Sequence, residues 1–147
     1  MMNRYLINED TFAILPLDNK YSIIYEKNKE IKIRKRPTTI INSNCLLYGS
    51  SIEGRLKRTE YSLGISYKPP IIICEKNNII FFPTSSPRLK RCGWINLNSI
   101  KKVFKDSNKD TIIEFKNNKF VNLDVSYNII NNQILKATRL EYVLRQN

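Results

Sequence analysis

The chemistry this 147-residue chain can offer sits in three runs of basic side chains. They are Lys32, Arg34, Lys35 and Arg36; then Arg55, Lys57 and Arg58; then Arg88, Lys90 and Arg91, with Lys101, Lys102 and Lys105 close behind. Lys68, placed before two prolines, is a further candidate. Guanidinium and ammonium groups clustered in this way engage phosphates, and Arg is favoured where a narrow, strongly negative minor groove must be entered. The competing reading is solvated charge, including edge-strand Lys and Arg that block aggregation. The balance over the whole chain decides between them: 25 Lys and Arg stand against 13 Asp and Glu, a formal charge of +12. Three clusters within such an excess favour a nucleic acid. The segment Gly49-Ser50-Ser51 with Gly54-Arg55 could bring backbone N–H groups, Ser50 and Ser51 hydroxyls and a guanidinium to one phosphate. It lacks the spacing of a nucleotide P-loop, so on pattern alone a plain tight turn is the better reading.

Other chemistries are poorly supplied. The chain has no His, which removes Ser-His-Asp, Cys-His and His acid/base catalysis. Cys45, Cys74 and Cys92 are an odd number at wide spacings, neither a closed disulfide framework nor a zinc-ligand pattern, and read as reduced thiols. Glu60, Glu75, Asp106 and Asp110 are scattered, with no grouping that a two-metal nuclease would need. No enzyme, no metal and no cofactor are expected. The longest apolar runs, Ile71 to Cys74 and Ile79 to Phe82, fall far short of the roughly 20 residues that cross a bilayer. The start, Met1 to Phe12, carries Arg4, Glu9 and Asp10 and has no apolar core or small-residue cleavage site of a secretory signal. A cytoplasmic protein without a membrane partner is the expectation.

The elements that must position the clusters follow from periodicity. Thr11 to Leu17 and Tyr21 to Glu26 read as a hairpin across Asp18, Asn19 and Lys20. Glu30 to Arg36 alternates, with Ile31 and Ile33 on one face and Lys32, Arg34 and Arg36 on the other. Thr38 to Tyr48, rich in β-formers, reads as a further strand after Pro37, ending in the glycine-bracketed segment 49–55. Lys68-Pro69-Pro70 punctuates the chain before a hairpin of Ile71 to Cys74 with Ile79 to Phe82. A second hairpin pairs Thr111 to Lys116 with Lys119 to Val125 across Asn117-Asn118, and Asn tolerates the left-handed backbone of tight turns. Pro83 to Gly93 is a polar, basic loop, and Trp94 to Phe104 supplies more β structure. Only the end is clearly helical: Ile130, Ile134, Ala137, Leu140 and Leu144 share one face of a helix from about Ser126 to Arg145, capped by Ser126 or Asn128. The expected fold is α+β, mainly β, in one domain spanning 1–147: an antiparallel sheet, roll or partly closed barrel with one C-terminal amphipathic helix. Pleckstrin-homology-like topology is one instance, and with it comes the alternative of a basic β-domain that binds anionic lipid or an acidic protein.

Three phrases are more specific: NCLLYGSSIEGR at Asn44 to Arg55, ISYKPPII at Ile65 to Ile72, and IIFFPTSSPRLKRCGWI at Ile79 to Ile95. In order and spacing they resemble the competence transcription factor family, ComK, and the resemblance continues through EFKNNKFVNLDVSYNIINN at Glu114 to Asn132. The resemblance implies a transcription activator of DNA-uptake genes that binds paired A·T-rich boxes in double-stranded promoter DNA through the minor groove. It further implies a homodimer or higher oligomer on DNA, with RNA polymerase as a candidate partner. By carry-over, Gly49, Ser50, Ser51, Gly54 and Arg55 match one family phrase, and Pro83, Thr84, Arg88, Cys92, Gly93 and Trp94 match another. Arg55, Arg88 and Arg91 are then the residues expected to approach DNA, with Trp94 and Pro83 structural. Longer family members continue past the helix through a region implicated in control, including adaptor-mediated proteolysis. With the sequence stopping at Asn147, that control is not expected to carry over.

Overall fold

A computed structural model describes residues 4–146. Among these residues the chain forms nine strands and three α-helices. They run β1 (Thr11–Pro16), β2 (Ser22–Glu26), β3 (Glu30–Ile33), α1 (Pro37–Leu47), α2 (Ile52–Leu63), β4 (Ile71–Cys74), β5 (Ile79–Pro83), β6 (Trp94–Asn96), β7 (Ile100–Lys105), β8 (Asp110–Phe115), β9 (Phe120–Ser126) and α3 (Tyr127–Arg145). Six strands form an antiparallel sheet in the order β3-β2-β1-β6-β5-β4, and the other three form a separate antiparallel sheet, β7-β8-β9. Among the described residues neither sheet closes into a barrel, so the barrel end of the expectation falls away while the α+β class holds.

The large sheet is buried on both faces, which is why β4 and β5 read as unbroken apolar runs rather than as an alternating pattern. Ile14, Ile24, Ile71, Ile73, Phe81 and Trp94 pack under Ile40, Ile41 and Cys45 of α1 and Ile52 of α2. Ala13, Leu15, Ile72, Ile80, Phe82 and Ile95 face the other way, onto Ile130, Ala137 and Leu140 of α3 and Ile113, Phe115 and Leu123 of the small sheet. The molecule is therefore layered: two helices, a central sheet, then a helix beside a second sheet. Asn78 and Asn118 hold positive φ, 55° and 68°, in the two tight turns, the conformation for which Asn is suited.

Two elements differ from the sequence reading. The stretch expected as a strand over Thr38 to Tyr48 is helix through Leu47, with Tyr48 as its C-cap. Pro37 sits in the first turn, where its missing N–H costs nothing, and Ile40, Ile41, Asn44 and Cys45 face the core at helical spacing. The second is α2, which begins inside the segment 49–55 read as a turn and runs on to Leu63. The Ser51 hydroxyl accepts from the Gly54 N–H at 3.1 Å to start it, and Gly64 at φ 69° ends it. The C-terminal helix is thus one of three. Its boundaries match expectation, and Ser126 caps it by accepting from Ile129 N.

Candidate nucleic-acid interface

The corner where β3 leaves the sheet and α1 begins is fixed by its backbone. Ser22 Oγ donates to Lys35 O at 2.6 Å, and Arg36 Nε donates to Asn19 O at 3.1 Å. This leaves Arg34 and Arg36 exposed and Lys35 half-buried. Helix α1 then starts without a side-chain cap and without an acidic residue in its first turn, so the positive end of its dipole is not offset locally. The Thr38 hydroxyl is held by Trp94 Nε1 at 2.9 Å, which ties this helix start to the core.

Against it lies the loop joining β5 to β6. Its neck is closed twice, by Thr84 N donating to Gly93 O and Gly93 N donating to Thr84 Oγ1, both at 2.9 Å. Gly93 is pressed on β1 so closely that a Cβ there would meet Leu15 Cδ2 at 2.7 Å. Inside the loop, Leu89 N donates to Ser86 O and Cys92 N to Leu89 O, two successive turns that present Arg88 and Lys90 outward. Burial pushes the Cys92 thiol up, which keeps it a neutral packing group.

The loop and the helix start enclose a cleft of about 190 Å³ lined by Arg36, Thr38, Thr39, Arg88 and Lys90. A second, open depression of about 340 Å³ adjoins it, sharing Arg36 and Thr39 and adding Lys20, Arg34 and Lys35. Among the described residues none of these six cations is ion-paired; the salt bridges there use Arg58, Lys101 and Arg145 instead. Asp18, in the turn beside Lys20, spends its carboxylate on the N–H groups of Lys20 and Tyr21, which hold it below the usual carboxylate range. Arg34, Lys35 and Arg36 of the first cluster and Arg88 and Lys90 of the third, far apart in sequence, thus form one basic face around a helix N-terminus.

The remaining candidates lie elsewhere. Lys68 and Arg91 line a larger groove of about 750 Å³ on the other side of the loop, with Tyr67, Ser85 and Ser86. Lys32 is exposed on edge strand β3, its Nζ 4.7 Å from the Tyr21 ring centre. Ser50 is exposed in the turn before α2, Ser51 is engaged as that helix's cap, Lys57 is exposed on the helix, and Arg58 is paired with Glu75. Arg55 departs most from expectation. It is 9% exposed, and its guanidinium donates to Ile72 O at 2.7 Å, Tyr48 O at 3.0 Å and Cys45 O at 3.3 Å. In this position it braces α1, α2 and β4 together rather than facing outward. Sequence reasoning missed Lys20 and Thr39, which no motif marks; Pro37, as a helix-start signal, was the available pointer to Thr39.

The chain matches the family model described as ComK protein over residues 2–147. It is 35% identical over 142 residues to the competence transcription factor of Bacillus subtilis (strain 168), a match that spans 95% of this chain and 74% of that protein. No solved structure matches it.

Proposed function

The chain belongs to the ComK family, and from that premise we propose that it is a transcriptional regulator of competence that binds duplex DNA directly, at paired A·T-rich boxes, through the minor groove. The observation that supports this reading best is the face built by Arg34, Arg36, Arg88 and Lys90 around the uncapped start of α1. Its cations form no ion pair among the described residues and are free for phosphates, and its three exposed arginines are of the type that enters a narrow A·T groove. The minor groove distinguishes A·T from G·C by the guanine amino group, so a guanidinium seated there reads composition as well as charge. A homodimer or higher oligomer matches a pair of boxes, because a two-fold protein presents the same face to each half-site. RNA polymerase is the further partner such an activator works with, and its place of work is the nucleoid in the cytoplasm. Among the described residues no helix is long and apolar enough to cross a membrane.

The test is fluorescence anisotropy against a duplex with two A·T-rich boxes and a G·C-rich duplex of equal length, over a range of salt. The expected result is preference for the A·T boxes that persists at physiological salt. The combined variant Arg34→Ala, Arg36→Ala, Arg88→Ala and Lys90→Ala should weaken binding strongly and lower the slope of log K against log salt by about 0.9 for each phosphate no longer neutralised. Unchanged affinity and slope in a folded variant would move the interface off this face, and equal binding to both duplexes would overturn the A·T reading.

A further inference from the structure

The small sheet has one face against the core and one turned to solvent. Inward-facing Ile113, Phe115 and Leu123 belong to the apolar cluster beneath it. The outward residues follow from the register: Phe104 lies opposite Ile112, Lys102 opposite Glu114, and Glu114 opposite Phe120. A solvated sheet face ordinarily carries polar side chains at such positions. Here Phe104 on β7 and Phe120 on β9 reach across the central strand β8 until their ring centres are 6.3 Å apart, with the planes tilted by 38°. Neither ring belongs to either core cluster, and Phe120 is 58% exposed. Phe104 is half-buried, so Phe120 presents the open ring and Phe104 the one it leans on.

The surroundings of the two rings are basic. Lys102 Nζ lies 5.4 Å from the Phe104 ring centre and is exposed. Lys101, also exposed, neutralises Glu114 at 3.6 Å and hydrogen-bonds Asn118 Oδ1 at 2.9 Å. Lys116 and Lys119, in the turn that leads into Phe120, are exposed as well. Glu114 is thus paired, Asp124 of β9 is exposed on the same face, and Lys101, Lys102, Lys116 and Lys119 leave the face net positive. Exposed aromatic rings supply stacking surfaces for bases, and flanking lysines meet the phosphates that join them.

We infer that the outer face of the β7-β8-β9 sheet, built on Phe104 and Phe120 with Lys102 and Lys119, binds single-stranded nucleic acid by base stacking. Charge complementarity selects a polyanion as the occupant. The paired rings select one whose bases are free to stack, which a closed duplex does not offer on its outer surface. The layering of the fold puts this sheet on the opposite side of the central sheet from α1, so the platform is a second surface, independent of the duplex-binding face proposed above.

The full chain is titrated by anisotropy against labelled 15-mers of deoxyuridylate and of uridylate, and against the A·T-box duplex. The expected result is salt-sensitive binding of the single strand, the two oligomers showing whether the sugar matters. The Phe104→Ala and Phe120→Ala variants should each weaken single-strand binding about tenfold, and leave duplex binding within about twofold. Because both rings lie outside the core clusters, circular dichroism should stay unchanged, and melting temperature should fall only slightly, more for Phe104→Ala, whose ring is half-buried. As a second variant, Phe120→Trp should retain binding and report it by quenching of the new exposed indole, the chain's other tryptophan, Trp94, being fully buried. Absence of single-strand binding by the intact protein overturns the proposal. Equal loss for duplex and single strand also overturns it, by assigning the rings to the duplex, as does unchanged single-strand affinity in the two alanine variants.

Discussion

Replacing Arg55 by Ala leaves the carbonyl oxygens of Ile72, Tyr48 and Cys45 without their shared donor, the first and last of them in a buried site. The cost expected is about 2–4 kcal/mol, seen as a lower urea midpoint with an unchanged slope. The DNA affinity of the folded fraction should not change, which separates a brace from a phosphate contact. Arg55→Lys should recover only part of the stability, because an ammonium on a flexible stem cannot reproduce the planar fork that reaches three acceptors. A second residue-scale prediction concerns alkaline pH. Burial pushes the Cys45 thiol up from its ordinary value of 9.0 to about 11. Between those values the folded protein keeps a proton that the unfolded chain releases, so stability is full below about pH 9 and falls as pH rises through 11. Cys92 and Tyr5 shift in the same direction, both chiefly through burial. Melting temperature measured from pH 7 to 11 should decline over the upper part of that range, and a flat profile would show that these groups are solvated.

At the scale of elements, the function proposed above asks the start of α1 to serve two ends that pull in opposite directions. Thr39 is exposed in the first turn and lines both basic depressions. Thr39→Glu places a carboxylate at the positive end of the helix dipole and should stabilise the fold by about 0.5 kcal/mol. The same charge repels phosphates and should weaken duplex binding several-fold. A higher melting temperature together with a weaker anisotropy titration is the expected pair of results; tighter or unchanged DNA binding would take the helix start out of the interface. This helix was also the element least legible in the sequence. Thr38, Thr39, Ile40 and Ile41 are β-branched, and their preference for strands outweighed the spacing of Ile40, Ile41, Asn44 and Cys45, which a helix turns to one side. Helix α2 was hidden for a different reason. Gly49, Ser50, Ser51 and Gly54 have the composition of a turn, yet Ser51 is the cap that starts the helix. The hairpins β1-β2, β4-β5 and β8-β9 were legible because their turns carry Asp or Asn between apolar runs, a local signal. The convergence of Arg34 and Arg36 with Arg88 and Lys90 was not, since it depends on which loop the finished sheet sets beside which corner.

At the scale of the molecule, the central strands of the large sheet come from opposite ends of the folding order. β1 pairs with β2, its neighbour in sequence, and on its other side with β6, where Ala13 meets Ile95 and Ile14 meets Trp94. Two helices and four strands intervene in the chain. Closing that pair costs loop entropy before its contacts can reward it, so folding is slow for a chain of this size. A fragment ending at residue 90 should show no cooperative unfolding transition, whereas a fragment that includes β6 and the segments after it regains one. For a chain emerging from a ribosome, the first hairpin must then wait, its Ile14 edge unpaired, until Trp94 has been synthesised and has left the exit tunnel. The interval exposes a bare apolar strand edge to chaperones and proteases, so slower translation of that stretch should lower the protein's abundance in the cell.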